Sequence, residues 1–170
     1  PLITRNTRGM RESLVMAIVL TVLIIFLFLA DLRASFISLV SIPLSFLFGL
    51  GALRFTGYTL NIVTLSGLII ATGMVVDATV VVLENIHRHS ARPGSGDPSD
   101  RVEAGVGEIL TAITAGMLTT VAMLIPIMFS GGYVEKVLRQ FTLTLSLALV
   151  GSLLSAIFIV PLIARRMIRP

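Results

Sequence analysis

The sequence predicts an all-α integral membrane fold with five transmembrane helices. Three observations carry this expectation. The 170 residues are 55% hydrophobic and only 13% charged, against ~25% charged in an average soluble domain. Mean hydropathy is +1.00, so polar groups are too few to cover a surface facing water, and lipid is the solvent that fits. The apolar residues also gather into five long runs separated by polar stretches. Each run is close to the ~20 residues that cross ~30 Å of hydrocarbon. Buried helices of a large soluble protein are the alternative, but no amphipathic helix is left over to cover such a core.

The first span covers about residues 12–30 and follows a polar flank holding Arg5, Arg8 and Arg11. Flank and span together imitate a signal peptide. The run is long for that, and no small-residue cleavage site follows. A tight turn over 31–35, containing Arg33, leads to the second span at 36–53. Pro43 lies inside it, which membrane helices tolerate when neighbours satisfy the freed carbonyl. A polar turn over 54–59 precedes the third span, 60–83, which contains Asp77. The hydrophilic segment 84–108, expected as a cytoplasmic loop, holds the breaker-rich stretch ARPGSGDPSD. Asp100 with Glu103 has the spacing of a capping box. The fourth span is 109–129, with Pro126 near its end. The connector SGGYVEKVLRQ leads to the fifth span at 141–164, and Arg165, Arg166 and Arg169 follow.

Composition narrows the chemistry. With no cysteine there is no disulfide framework and no cysteine-ligated metal. A pI near 10.7 would suggest nucleic acid in a soluble protein. Here the basic residues flank apolar runs, where they anchor helix ends to headgroups, so the bilayer is the expected partner and nucleic acid is not. Lysine and arginine divide almost evenly between the two sides, so charge alone does not orient the chain. There is no Walker A motif, nucleophile elbow or HExxH, so an enzyme is not expected. No cofactor or metal is expected either. Glu84 and His87 at i, i+3 form a single pair and read as a solvated helix end, and the scattered methionines read as lipid or core contacts.

Asp77 is the residue that demands an explanation. It lies well inside the apolar stretch GLIIATGMVVDATVVVLE, and an ionisable group there costs ~2.5–3.5 kcal/mol on insertion scales. Residues seven apart lie close to one face of a helix, so Asp77 and Glu84 share a face, Glu84 at the water-accessible end. Two readings of Asp77 stay open. A carboxyl that gains and loses a proton inside the membrane is the unit of a proton relay. A structural hydrogen bond to a neighbouring hydroxyl or carbonyl is the other. Thr72, Gly73, Thr79 and Glu84 are the candidate supporting residues. No arginine lies inside any span and the only lysine, Lys136, is in a connector. Asp77 therefore stays protonated or takes its counter-ion from elsewhere. Small residues recur at four-residue spacing in Gly67/Ala71, Ser45/Gly49 and Gly151/Ser155, which reads as close helix packing. Gly73, one turn before Asp77, leaves room for water or a partner helix.

GMVVDATVVVLENIHRH resembles the fourth transmembrane helix of the resistance–nodulation–division (RND) efflux permeases. FLFLADLRAS is similar to the end of their second helix, and TLNIVTLSGL to the start of the fourth. LTTVAMLIPIMFSGG, LRQFTLTLSLAL and IVPLIARRMIRP are similar to the fifth helix and the two ends of the sixth. The resemblance covers nearly the whole chain in order. It implies helices two to six of the first half of a twelve-helix bundle, from a proton-driven antiporter of the bacterial inner membrane. The N-terminus would then be periplasmic and the C-terminus cytoplasmic. It implies a homotrimer working with a periplasmic adaptor and an outer-membrane channel. The proton site would be Asp77, paired with a counter-ion lysine in the remaining half, and the cargo would be drugs, amphiphiles or metal ions. Ala78 departs from many multidrug members, which carry a second acid there. A SecD/SecF-like protein-export accessory subunit is the alternative, since it shares the alanine after the acid. Asn85 stands against it, because those proteins usually read arginine after the glutamate.

Overall fold

Asn61 starts the helix at the centre of the bundle. Its side chain accepts from the backbone N–H groups of Val63 and Thr64, and the Thr64 hydroxyl accepts from the Asn61 backbone N–H at 2.8 Å. This reciprocal capping satisfies donors that a helix start leaves unpaired. The computed structural model describes residues 2–29, 32–91 and 97–167. They form α1 (Leu2–Leu29), α2 (Leu32–Phe55), α3 (Ile62–Ser90), α4 (Pro98–Leu124), a 3₁₀ turn (Ile125–Phe129), α5 (Gly132–Leu154), one π-helical turn (Ser155–Ile159) and α6 (Val160–Met167). Among the described residues there is no strand, and 4 helices are long and apolar enough to cross a membrane: Ser35–Phe55, Ile62–Ser90, Asp100–Phe129 and Gly132–Arg166. α1 carries the first apolar run.

Helix boundaries move outward from the apolar runs, because polar residues extend a helix into water as readily as they end it. Part of the turn expected over 31–35 is helical, with α2 beginning at Leu32; Asp31 lies outside the described residues. The hydrophilic segment 84–108 is mostly helix, since α3 runs to Ser90 and α4 starts at Pro98. Pro98 suits a first helical position, where its missing N–H is not needed. The capping box expected at Asp100 is displaced. Asp97 precedes the helix, its carbonyl accepting from Asp100 and Arg101, and Glu103 instead pairs with Arg165. Pro126 ends the α-ladder of the fourth span, which tightens to 3₁₀. The chain reverses at Gly131 and Gly132, whose φ values of 81° and 69° are left-handed and suit glycine.

α5 packs mainly on α2 and α3, and α3 also touches α1 and α4. Between helices in lipid, close approach of small residues replaces the hydrophobic drive. A Cβ on Gly151 would lie 2.8 Å from the Ser45 carbonyl oxygen, and one on Gly49 would lie 3.2 Å from the Ala148 Cα. Two of the three small-residue pairs, Ser45/Gly49 and Gly151/Ser155, thus mark where α2 and α5 touch, while Gly67 of the third meets α5 at the Phe141 carbonyl oxygen. Buried hydroxyls stitch the same region. Ser41 Oγ lies 3.0 Å from Thr79 Oγ1 and 2.8 Å from Ser155 Oγ, and Ser152 donates to the Val75 carbonyl at 2.6 Å.

Candidate functional site at the uncovered face of the central helix

α3 is enclosed on most sides, with 56% of its most apolar window buried. Apart from Ile62 at its start and His87 near its end, its exposed positions form one stripe: Ile70, Gly73, Asp77, Val81, Glu84 and Arg88. Spacings of three and four keep these residues on a single helical face. Asp77 lies at the middle of the stripe and Glu84 two turns further toward the polar end. Gly73, one turn before Asp77, faces open space, since a Cβ there would meet nothing within 4 Å. Three of the sequence candidates therefore share one surface. Thr72 and Thr79 face the bundle interior. Thr72 donates to its own helix at the Leu68 carbonyl, 3.0 Å away, and Thr79 joins Ser41.

Asp77 borders a cleft of ≈ 270 Å³ between α3 and α4. Met74, Ala78 and Val81 extend its α3 wall, Ile113, Gly116, Met117 and Thr120 form the α4 wall, and Leu149 of α5 closes the back. The Thr120 hydroxyl is bonded within its own helix to the Gly116 carbonyl at 3.0 Å, so Asp77 is the one ionisable group of the lining. A water molecule occupies ~30 Å³ of liquid, so the cleft can hold several beside the carboxyl. Among the described residues no basic side chain lines it. Ala78, where a second acid would stand, is only 4% exposed and packs with Val82 in the core. Ala78 thus lies both in the cleft wall and in the packed core beside it. Among the described residues no group of three or more His, Cys, Asp or Glu could hold a metal ion.

A second cluster sits where α3 and α4 meet at their polar ends. Buried Asn85 donates through Nδ2 to the Gly105 carbonyl at 2.6 Å and to Glu108 Oε2 at 3.2 Å. Arg88 Nη2 donates to both Glu108 oxygens at 3.0 Å, and His89 Nε2 lies 2.6 Å from Oε2. These donors, His89 first, then Asn85 and Arg88, hold the Glu108 carboxyl down to about 2. Sequence reasoning missed this cluster. It read both His89 and Glu108 as part of the hydrophilic loop 84–108. The available signal was that Asn85, Arg88 and His89 share a helical face, with an acid about three turns into the next helix.

The sequence model of the AcrB/AcrD/AcrF family matches residues 1–170. Curated relatives include the multidrug resistance protein MdtC of Escherichia coli O9:H4 (strain HS), 35% identical over 169 residues and 99% of this chain. The MdtC proteins of Pectobacterium carotovorum (strain PC1) and Pantoea ananatis (strain AJ13355) are 36% and 32% identical, over 99% and 100% of the chain. The chain spans 16% of the length of each of these relatives. With an all-α fold, long apolar helices and a family match over every residue, the chain belongs to the AcrB/AcrD/AcrF family of RND permeases.

Proposed function

We propose that this chain forms helices two to six of the first half of a proton-driven RND efflux permease, with Asp77 as its intramembrane protonation site. The supporting observation is the position of Asp77, midway along an uncovered stripe of α3, beside a cleft that no cation lines among the described residues. In this reading a lysine from the remaining half docks against the stripe, at Gly73 and Asp77. With the ammonium near, the carboxylate form is favoured. When the lysine withdraws into another arrangement, a proton takes its place, because a lone carboxylate in apolar surroundings is penalised. Proton uptake from one side and release to the other bias the two arrangements, and the bias drives export. Glu84, exposed on the same stripe at the polar end, lies on the route by which water reaches Asp77. Thr79 acts indirectly, by fixing the face that α3 presents.

The N-terminus of the segment is periplasmic in this reading, so the polar ends of α3, α4 and α6 are cytoplasmic. The relatives' names point to drugs as cargo. A homotrimer with a periplasmic adaptor and an outer-membrane channel, in the bacterial inner membrane, completes the proposal. The test is Asp77→Asn in the full-length permease, expressed in a strain lacking its own drug pumps. Asn keeps the size of Asp but cannot titrate. Resistance to cationic dyes and detergents should fall to the empty-vector level while the amount of inserted protein is unchanged. Wild-type resistance with Asn at position 77 refutes the protonation role.

A further inference from the structure

We infer that Glu108 is a positioning residue for Asp77: it pins the pivot about which α3 and α4 open to form the cleft. This rests on the reading of Asp77 as the protonation site. Two glycines on α4, Gly105 and Gly116, mark the shape of the opening. They are eleven residues apart, which returns them to nearly the same helical face. A Cβ on Gly105 would lie 3.0 Å from the Ile86 Cα, whereas one on Gly116 would meet nothing within 4 Å. The helices touch backbone to backbone at Gly105, whereas three turns on Gly116 faces the open space of the cleft.

The contact point is locked from both sides. Asn85, only 7% exposed, reaches the Gly105 carbonyl, and Glu108, one turn further, gathers Asn85, Arg88 and His89 onto a single carboxylate. On the other side of α4, Arg165 of α6 pairs with Glu103. An exposed ion pair alone holds little. Here three donors on one turn of α3 converge on one acid, and one of them, Asn85, is a buried amide that needs its acceptors. α4 is otherwise lightly held, with 0% of its most apolar window buried. Its angle to α3, and so the room around Asp77, depends on this anchorage.

The experiment uses the intact permease in its membrane, on a cysteine-free background. Cysteines replacing Val81 and Ile113, which both line the cleft, report its width through the rate of cross-linking by a short bis-maleimide. Labelling of Asp77 by an apolar carbodiimide across a pH series, read by mass spectrometry, reports its protonation midpoint. Glu108→Ala should change the cross-linking rate at least threefold and move the labelling midpoint by half a pH unit or more. Glu108→Gln, which keeps an acceptor for Asn85 and should fold like the wild type, should move both in the same sense by less. An unchanged midpoint in both variants overturns the positioning role, even where cross-linking changes, because a merely structural clamp would do that. An unchanged cross-linking rate in both variants overturns the pivot. Asp77 left unlabelled in the wild type at every pH refutes the protonation reading instead, and cross-linking alone then decides whether Glu108 sets the cleft.

Discussion

Two acids of this segment, Asp77 and Glu108, have surroundings that differ in kind. Asp77 has apolar walls and open space. Glu108 has three donors and water. A carboxyl held below its ordinary value favours the folded contact wherever it is ionised there but would be protonated in the separated helices. For Glu108 that contribution is complete above pH 4.5, the ordinary value, and fades as the pH falls to about 2. Amide protection in residues 101–108, corrected for intrinsic exchange, should therefore drop across that range in the intact protein. Glu108→Gln should flatten the pH dependence, and equal pH dependence in both proteins would contradict the assignment. Ala78 makes a second case. It is buried beside the cleft, so Ala78→Asp places a carboxyl against the α3–α4 contact. It should lower stability by ~1–3 kcal/mol, seen as a reduced thermal midpoint in detergent. Asp77 was legible in the sequence because one charge in an apolar run stands out against its neighbours. Glu108 was not, because its donors lie 19 to 23 residues away and meet it only once two helices have packed across a loop.

The helices themselves were largely legible, since runs of apolar residues at bilayer length leave few alternatives. Their ends were less so. The capping box expected at Asp100 is displaced, and one that the described residues do show, at Asn61 and Thr64, stands at the start of the third apolar run. The π turn over Ser155–Ile159 left no mark in the sequence beyond Pro161 just after it. Such turns cluster at sites of function or strain, and this one carries Ser155 into the buried hydroxyl trio with Ser41 and Thr79. Hydrogen bonds between membrane helices are worth ~0.6 kcal/mol on average, so Ser41→Ala should cost ~1 kcal/mol for the two it breaks. Gly151→Ala should cost more, ~1–3 kcal/mol, because its Cβ would meet backbone and ring atoms at 2.8 and 2.9 Å that cannot give way cheaply. Gly73→Ala should leave stability within ~0.5 kcal/mol, since nothing lies within 4 Å of the new atom. Thermal unfolding of the three variants in one detergent checks the order. Gly73→Ala as the most damaging of them would mean that the stripe is packed against something within the segment.

At the scale of the whole molecule, the segment is a bundle with one open seam. α3 is the most enclosed of its candidate spans, yet the stripe through Asp77 is bare, and no residue in the most apolar window of α4 beside it is fully buried. Lipid could cover Ile70 and Val81, but Asp77 and Glu84 ask for a polar partner. The chain spans only 16% of its curated relatives, and the rest of such a permease is where the proposed lysine must lie. The absence of any cation within the apolar spans was already readable from the sequence. That the carboxyl faces outward from the bundle was not, because facing depends on which sides of α3 its neighbours choose. The most direct test reconstitutes the intact permease in liposomes with a trapped pH dye and an imposed gradient of a cationic drug. Wild-type protein should exchange the drug for protons, and Asp77→Asn at equal density should show neither flux. Drug-driven proton movement that survives Asp77→Asn would contradict the account.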